Sequence, residues 1–219
     1  MQIYFVRHGK TEWNLASRFQ GGHGDSPLLP ESLNDIKKLG NHLQGTKFRA
    51  IFSSPLQRAF NTAQGIDQAM NANLPVIIDE RLREFNLGKL EGMKFSEAAE
   101  KYPTLIDNFW HHPDLYDPQP IAGESYQQVM ARGADFAREQ AKRFNSEQDK
   151  ILAVCHGAAL SAIMGGLLGY PLAEVRKRGG LSNTSLTILE TNDEGKHWHA
   201  VVWNETDFLG RKLSETDSL

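Results

Sequence analysis

Four short apolar runs punctuate the chain, and each one stops at polar residues. Ile3 to Val6 ends at Arg7-His8-Gly9, and Ala50-Ile51-Phe52 ends at Ser53-Ser54. Pro75-Val76-Ile77-Ile78 ends at Asp79, and Ile151-Leu152-Ala153-Val154 ends at Cys155-His156-Gly157. Runs of this length bounded by turn-forming residues predict strands, the first, second and fourth of them buried. Between them the period lengthens. Leu33, Ile36, Leu39 and Leu43 recur at helical spacing and predict a helix from Glu31 to Gln44. Ser54 as N-cap with Pro55 in the first helical position predicts a helix to about Met70. Ser125 caps a long helix carrying Val129, Phe136, Ala137 and Phe144, and another is predicted from Ala158 to Leu168. Phe95 to Pro120, rich in aromatics and prolines, predicts short helices and loops over a sheet. Ser185 to Glu190 and Trp198 to Trp203 flank Asn192-Asp193-Glu194-Gly195 and predict a hairpin. The last dozen residues are polar and expected to fray.

Strands alternating with helices predict a three-layer α/β/α fold, with a mostly parallel central sheet and one antiparallel edge strand from the hairpin. No composition break, repeat or low-complexity tract divides the chain. Residues 1–219 are therefore expected to form a single domain, with 86–122 as a cap-like insertion over the site. In such sheets ligands bind beyond the carboxyl ends of the strands. Arg7-His8-Gly9, the segment from Ser53 to Arg58, and His156-Gly157 all follow strand ends, and Arg83-Glu84 follows the third strand less closely. These clusters are expected to converge.

Composition narrows the function. The chain has 219 residues, 40% hydrophobic and 23% charged, which is ordinary globular usage. A net charge of −3 with a pI near 6.2 argues against nucleic acid as a partner. The longest basic run, Arg176-Lys177-Arg178, is read as a solvated face. The one cysteine, Cys155, points to a reducing compartment. The first apolar run is too short for a signal-peptide core, and no apolar stretch is long enough to span a bilayer. The expectation is a soluble cytoplasmic protein without a membrane partner. The oligomeric state is left open.

Arg7-His8-Gly9 alone is a modest signal. With 12 Arg, 8 His and 19 Gly, about 0.04 copies arise by chance. A lone strand-end histidine is more often held by a backbone carbonyl than used for chemistry. Its partners change the balance. A neutral imidazole can attack phosphorus and carry the phosphoryl group. Arg7 and Arg58 can lower its pKa and grip phosphate oxygens with planar forks. His156 at another strand end can donate to the same oxygens, or serve as a hydrogen-bonded core histidine. Glu84, flanked by Leu82 and Phe85, is placed to have a raised pKa and to protonate a departing alkoxide, or else to pair with Arg81 or Arg83.

Taken in order, Val6 to Asn14, Gln20-Gly21 with Asp25 to Leu28, Ser53 to Ala59, Leu82 to Gly92, Gly123-Glu124-Ser125, and Val154 to Gly157 resemble six motifs of the histidine phosphatase, or phosphoglycerate mutase-like, superfamily. The resemblance implies that fold. It implies His8 as nucleophile, Glu84 as proton donor, and Arg7, Arg58 and His156 as the phosphoryl grip. Asn14, Gly21 and Lys10 match substrate-binding positions. No metal and no organic cofactor are implied. Lys10 where Glu or Gln is commoner, Gly22-His23-Gly24 in place of an aromatic loop, Cys155 in place of Ser or Thr, and Ala158-Ala159 with Ser161 in place of a glycine-rich stretch all bear on substrate preference.

A phosphomonoester hydrolase, taking a small-molecule ester and releasing inorganic phosphate, is favoured over a phosphoglycerate mutase. The mutase branch carries paired arginines after the acid motif, whereas Asn86 to Pro120 offers only Lys89, Lys94 and Lys101. A non-catalytic phospholigand binder would be expected to have lost one of these residues. Cys155 lacks the arginine of a cysteine phosphatase six residues later, and no phosphate-cradling loop ending in Lys-Ser or Lys-Thr supports a kinase. His197 and His199 share a predicted strand face, but two histidines without a third ligand do not make a metal site.

Overall fold

The computed structural model describes residues 1–218. Leu219, the end of the expected tail and of the expected domain, lies outside them. The chain alternates strand and helix: β1 (Gln2–Arg7), α1 (Glu12–Leu15), α2 (Pro30–His42), β2 (Ala50–Ser53), α3 (Gln57–Met70) and β3 (Val76–Ile78). It continues through α4 (Phe95–Lys101), α5 (Pro103–His111), α6 (Tyr126–Arg143), β4 (Lys150–Cys155), α7 (Gly157–Leu167), β5 (Leu186–Glu190) and β6 (His199–Glu205). The sheet order is β3-β2-β4-β1-β5-β6. The first four strands in sequence run parallel, while β5 runs antiparallel to β1 and carries β6 outside it at the edge. The architecture is the α/β arrangement the alternation predicts.

Period-two alternation divides the core between two faces. Tyr4 and Val6 of β1, with Ile51, Leu152 and Val154, bury against Ile36, Leu39, Ala63 and Ile66 of α2 and α3. Ile3 and Phe5, with Phe52, Ile151 and Ala153, bury against Val129, Phe136, Ala159 and Ile163 of α6 and α7. Residues 95–121 join this second face through Phe109, Tyr116 and Ile121. Ser125 caps α6 in a reciprocal box with Gln128.

Two expectations fail. Helix α3 begins at Gln57, not at Pro55, with no side-chain cap from Leu56. Ser54 keeps extended chain beside it and turns its hydroxyl inward, where Oγ meets His156 Nε2 at 2.7 Å. The tail does not fray. A short turn at Glu215–Asp217 packs down, and Asp217 is fully buried. Its carboxylate accepts from Arg211 Nη1 and Nη2, each at 3.0 Å, from Ser214 N–H at 2.6 Å, and lies 3.3 Å from Lys10 Nζ. A polar segment can stay ordered when its charge is matched in this way.

Candidate active site

Strand register builds the site. Arg7 of β1 lies opposite Cys155 of β4, so the residues that follow, His8 and His156, emerge side by side. The His8 N–H donates to Cys155 O at 3.0 Å, and the Ser54 N–H donates to Val154 O at 2.9 Å. Three parallel strands thus end together. The two imidazole centroids lie 5.1 Å apart.

The hydrogen bonds of His8 assign its tautomer. Nδ1 lies 2.8 Å from Gly9 O, an acceptor only, so Nδ1 carries the proton. Nε2 keeps its lone pair, toward which Arg58 Nε–H points at 3.3 Å. Burial first, then Arg58 and Arg7, hold the His8 pKa well below the ordinary imidazole value. His8 is a neutral base with an oriented Nε2 lone pair. His156 Nε2 meets Ser54 Oγ at 2.7 Å, and the same oxygen accepts from Leu56 N–H at 3.3 Å. The other ring nitrogen, Nδ1, is buried with no protein partner. Burial, followed by Arg58 and His8, keeps this ring neutral too.

The two arginines differ. Arg7 is fully buried, donates through Nη1 to the carbonyls of Leu181 and Asp217, and keeps Nε and Nη2 without protein partners. Gly157 makes the room, because a Cβ there would stand 3.1 Å from Arg7 Nε. Burial lowers its pKa to about 10, still far above neutrality. Arg58 is saturated. Nη1 donates to Gly24 O at 2.8 Å and Asp25 Oδ1 at 3.0 Å, and Nη2 to Gly21 O at 3.2 Å. The start of α3, where a bound anion is favoured, is filled by the chain's own Asp25, which accepts from Gln57 N–H at 2.6 Å.

Glu84 reaches the cluster from the turn after β3. Oε1 accepts from Phe85 N–H at 2.8 Å and Ala159 N–H at 2.7 Å, and Oε2 from Ala158 N–H at 3.1 Å. Burial raises its pKa, against the pull of these amides and of Arg58. Oε1 is doubly engaged, so the proton of the acid form belongs on Oε2. Neither Arg81 nor Arg83 takes Glu84. Arg81 pairs with Asp79 and Glu139, and Arg83 with Glu80.

The remaining predicted residues divide. Asn14 is buried and accepts at Oδ1 from Thr11 N–H at 3.1 Å and Asn183 Nδ2 at 3.3 Å. Gly21 packs against the Glu91 carboxylate, which an added Cβ would displace. Lys10 is drawn away, with Nζ on Ser214 Oγ at 2.8 Å and beside Asp217. The solvated reading of Arg176-Lys177-Arg178 holds for the last two only. The Arg176 guanidinium lies 4.7 Å over the Trp110 ring, and its Nη1 is buried. His197 and His199 pair with Asp193 and Glu190, and no cluster of three metal-ligating side chains occurs among the described residues.

Four supporting residues are not among the predicted site residues, although Asp25 and Glu91 lie inside two of the motif segments. Asp25 pairs with Arg58, and Glu91 accepts from the His23 and Gly24 amides. Asn183 Nδ2 holds His8 O at 3.1 Å, and Asp217 O receives Arg7. The polar run Ser182 to Ser185 just ahead of β5 is the one cue that could have flagged Asn183. Two cavities border the cluster. One of about 320 Å³ runs from Asn14 past Phe95 and Trp110 to Glu215 and Thr216. The other, of about 380 Å³, lies behind Glu84 against Arg83, Glu124 and Arg132.

A neutral nucleophilic nitrogen, unpaired cationic and imidazole donors, and a buried carboxyl form a set suited to transferring a phosphoryl group. Comparison with known proteins agrees. The profile of the histidine phosphatase superfamily (branch 1) matches residues 3–206. A probable phosphoglycerate mutase GpmB of Proteus mirabilis is 34% identical over 214 residues, 93% of this chain and 90% of that protein. A metal-independent phosphoserine phosphatase of Arabidopsis thaliana is 31% identical over 211 residues, 95% of this chain and 83% of that protein. The solved structure of Bacillus stearothermophilus YhfR superposes with a TM-score of 0.86 at 32% identity, covering 95% of this chain and 98% of that one. No helix among the described residues is long and apolar enough to cross a membrane. The chain belongs to the histidine phosphatase superfamily, branch 1.

Proposed function

We propose that the protein is a phosphomonoester hydrolase working through a phosphohistidine on His8. The observation that carries this reading is the His8 tautomer. Its Nδ1 proton is held by Gly9 O, so Nε2 carries the lone pair, which points toward Arg58 Nε–H within a ring of cationic and imidazole groups. In the first step Nε2 bonds to phosphorus and the ester P–O bond breaks, with the electron pair leaving on the alkoxide. Glu84 Oε2 gives that alkoxide its proton. In the second, the Glu84 carboxylate takes a proton from water. The hydroxide oxygen bonds to phosphorus, the N–P bond breaks, and inorganic phosphate leaves. Arg7 Nε and Nη2 with His156 Nδ1 receive the phosphoryl oxygens, and Arg58 stabilises charge through Nε and its field. Asn14 and Gly21 border the substrate. Residues 86–122 act as a cap that selects it, within one domain.

The named relatives divide between mutase and phosphatase. Water is favoured here as acceptor because the cap carries no arginine and two of its three lysines are already engaged. Lys89 Nζ donates to Pro120 O at 3.0 Å, and Lys101 lies 5.5 Å over Tyr102. The test is a panel of phosphomonoesters scored for phosphate release and for isomerised phosphoglycerate, with His8→Ala as control and acid quenching to trap the phosphohistidine. Phosphate release lost in His8→Ala is expected. Full turnover by that variant refutes the mechanism, and isomerisation without phosphate release makes the protein a mutase.

A further inference from the structure

Glu84 stands outside helix and strand. The short turn Glu80–Leu82 ends before it, and Arg83 is already extended. The carbonyls from Arg81 to Phe85 therefore need donors from other segments. Leu82 O accepts from the Cys155 thiol at 3.0 Å, and Phe85 O from Gly22 N–H at 2.7 Å. The rest go to one side chain. Arg132 of α6 donates through Nη1 to Arg81 O at 2.7 Å and Arg83 O at 2.6 Å, and through Nη2 to Glu84 O at 3.2 Å. Glu124 completes the fork, with Oε1 on Arg132 Nε at 2.9 Å and Oε2 on Nη2 at 3.0 Å. The same Oε2 accepts from Asn86 N–H at 3.3 Å, and Glu124 N–H donates to Asn86 O at 2.8 Å. The pair thus grips the chain at Glu84 and on both sides of it. Both side chains are largely buried, at 18% and 19% exposure. Glu124 compensates the charge, so Arg132 acts as a rigid fork rather than as a free cation.

The carboxyl end of Glu84 is held by a different helix. Its oxygens take the Ala158 and Ala159 amides at the start of α7. Glu84 is therefore suspended between two helices, its backbone from α6 and its carboxyl from α7. Resting on the reading of Glu84 as proton donor, we propose that Arg132, braced by Glu124, is a positioning residue for the general acid. It touches no reacting atom. It fixes the backbone of residue 84 against the α7 amides, so that the carboxyl keeps its place while it gives a proton to the alkoxide and later takes one from water.

The test separates the acid step by leaving group. Alcohol release from glycerol 2-phosphate and from p-nitrophenyl phosphate is measured for the wild type, Arg132→Met, Arg132→Lys, Glu124→Gln and Glu84→Gln. The kcat/KM for alcohol release reports the first chemical step, whether water or another hydroxyl later takes the phosphoryl group. Arg132→Met should lower it on glycerol 2-phosphate by ~10- to 100-fold, the scale for a catalytic group displaced by about 1 Å. On p-nitrophenyl phosphate, whose leaving group needs no proton, it should stay within about threefold. Arg132→Lys keeps the charge without the fork and should show the same selective loss. Should Arg132→Met fail to fold, Glu124→Gln, nearly isosteric, carries the same test with a selective loss of about 3- to 10-fold. Adding Arg132→Met or Glu124→Gln to Glu84→Gln should cost no more than about threefold further, because the group being positioned is gone. A merely structural role would lower both esters together. Unchanged rates, equal losses on both esters, or additive losses in the double variants overturn the proposal. Failure of the acid reading is distinct: Glu84→Gln then loses equally on both esters, and this proposal falls with it. Failure of the hydrolase reading shows as alcohol release without phosphate release by the wild-type protein.

Discussion

Replacing Asp217 with alanine should open the tail without unfolding the domain. The carboxylate accepts two guanidinium N–H groups of Arg211 at 3.0 Å, the Ser214 N–H at 2.6 Å and the Ser214 hydroxyl at 2.8 Å. It also lies 3.3 Å from Lys10 Nζ. Breaking a fully buried charge pair costs about 3–5 kcal/mol. Here the value is smaller, because the Arg211 side chain is 34% exposed and keeps Asp35 at 2.8 Å. We take ~2–3 kcal/mol for the anchor, discounted for solvent screening. That corresponds to a ~30- to 150-fold shift toward the open tail. The reporter is the Asn183 amide, whose N–H donates to Asp217 O at 2.7 Å. Native-state hydrogen exchange should show its protection falling by that factor, while amides of β1 and β4 change little. The KM for phosphomonoesters should rise, since Arg7 Nη1 loses one of its two carbonyl partners. Arg211 and Ser214 hold the Asp217 pKa below the ordinary carboxylate range. The anchor is thus at full strength above about pH 4 and weakens only as pH falls toward the depressed folded-state pKa. Asn183 protection unchanged within about threefold in Asp217→Ala would refute the account of the tail.

Other outcomes follow from the site and the packing. Glu84→Gln should cut kcat/KM on alkyl phosphates by ~10²–10⁴-fold and far less on p-nitrophenyl phosphate, whose leaving group needs no proton; equal losses on both would remove Glu84 as acid. After correction for ionisation of the ester, kcat/KM should be bell-shaped. Its acid limb should lie below the ordinary imidazole value, because burial and two arginines lower His8, and its alkaline limb above the ordinary carboxyl value, because burial raises Glu84. An alkaline limb that survives in Glu84→Gln would show that another group sets it. Gly133→Ala drives a methyl into Ile163 where α6 meets α7, and should lower stability by ~1–3 kcal/mol in urea titration with the active-site chemistry intact. Gly21→Ala presses on the Glu91 side chain that holds the loop amides of His23 and Gly24, so it should raise KM more than it lowers kcat.

The local pattern of the chain was enough for the elements. Short continuous apolar runs marked β1, β2 and β4, the helical repeat marked α2, and the clusters near the strand ends named His8, Arg58, Glu84 and His156, because each of these signals lies within a few neighbouring residues. The tertiary structure decided what those residues can do. The register of β1 on β4 sets His8 beside His156, a contact between segments far apart in sequence. It also gave Arg58 to the carbonyls of Gly24 and Gly21 and left Arg7 with free donors, a division that two identical side chains cannot announce. Ser54 read as a helix cap because Pro55 follows it, but His156 offered the stronger partner. The tail read as frayed because it is polar. It is ordered because Lys10 and Arg211 neutralise Asp217 across the fold, and Arg176 is turned inward because Trp110 stands beneath it. Hydrophobic periodicity is a short-range property and can be read along the chain. The pairing of charges and hydrogen bonds is settled in space, by which distant segments the packed sheet brings together.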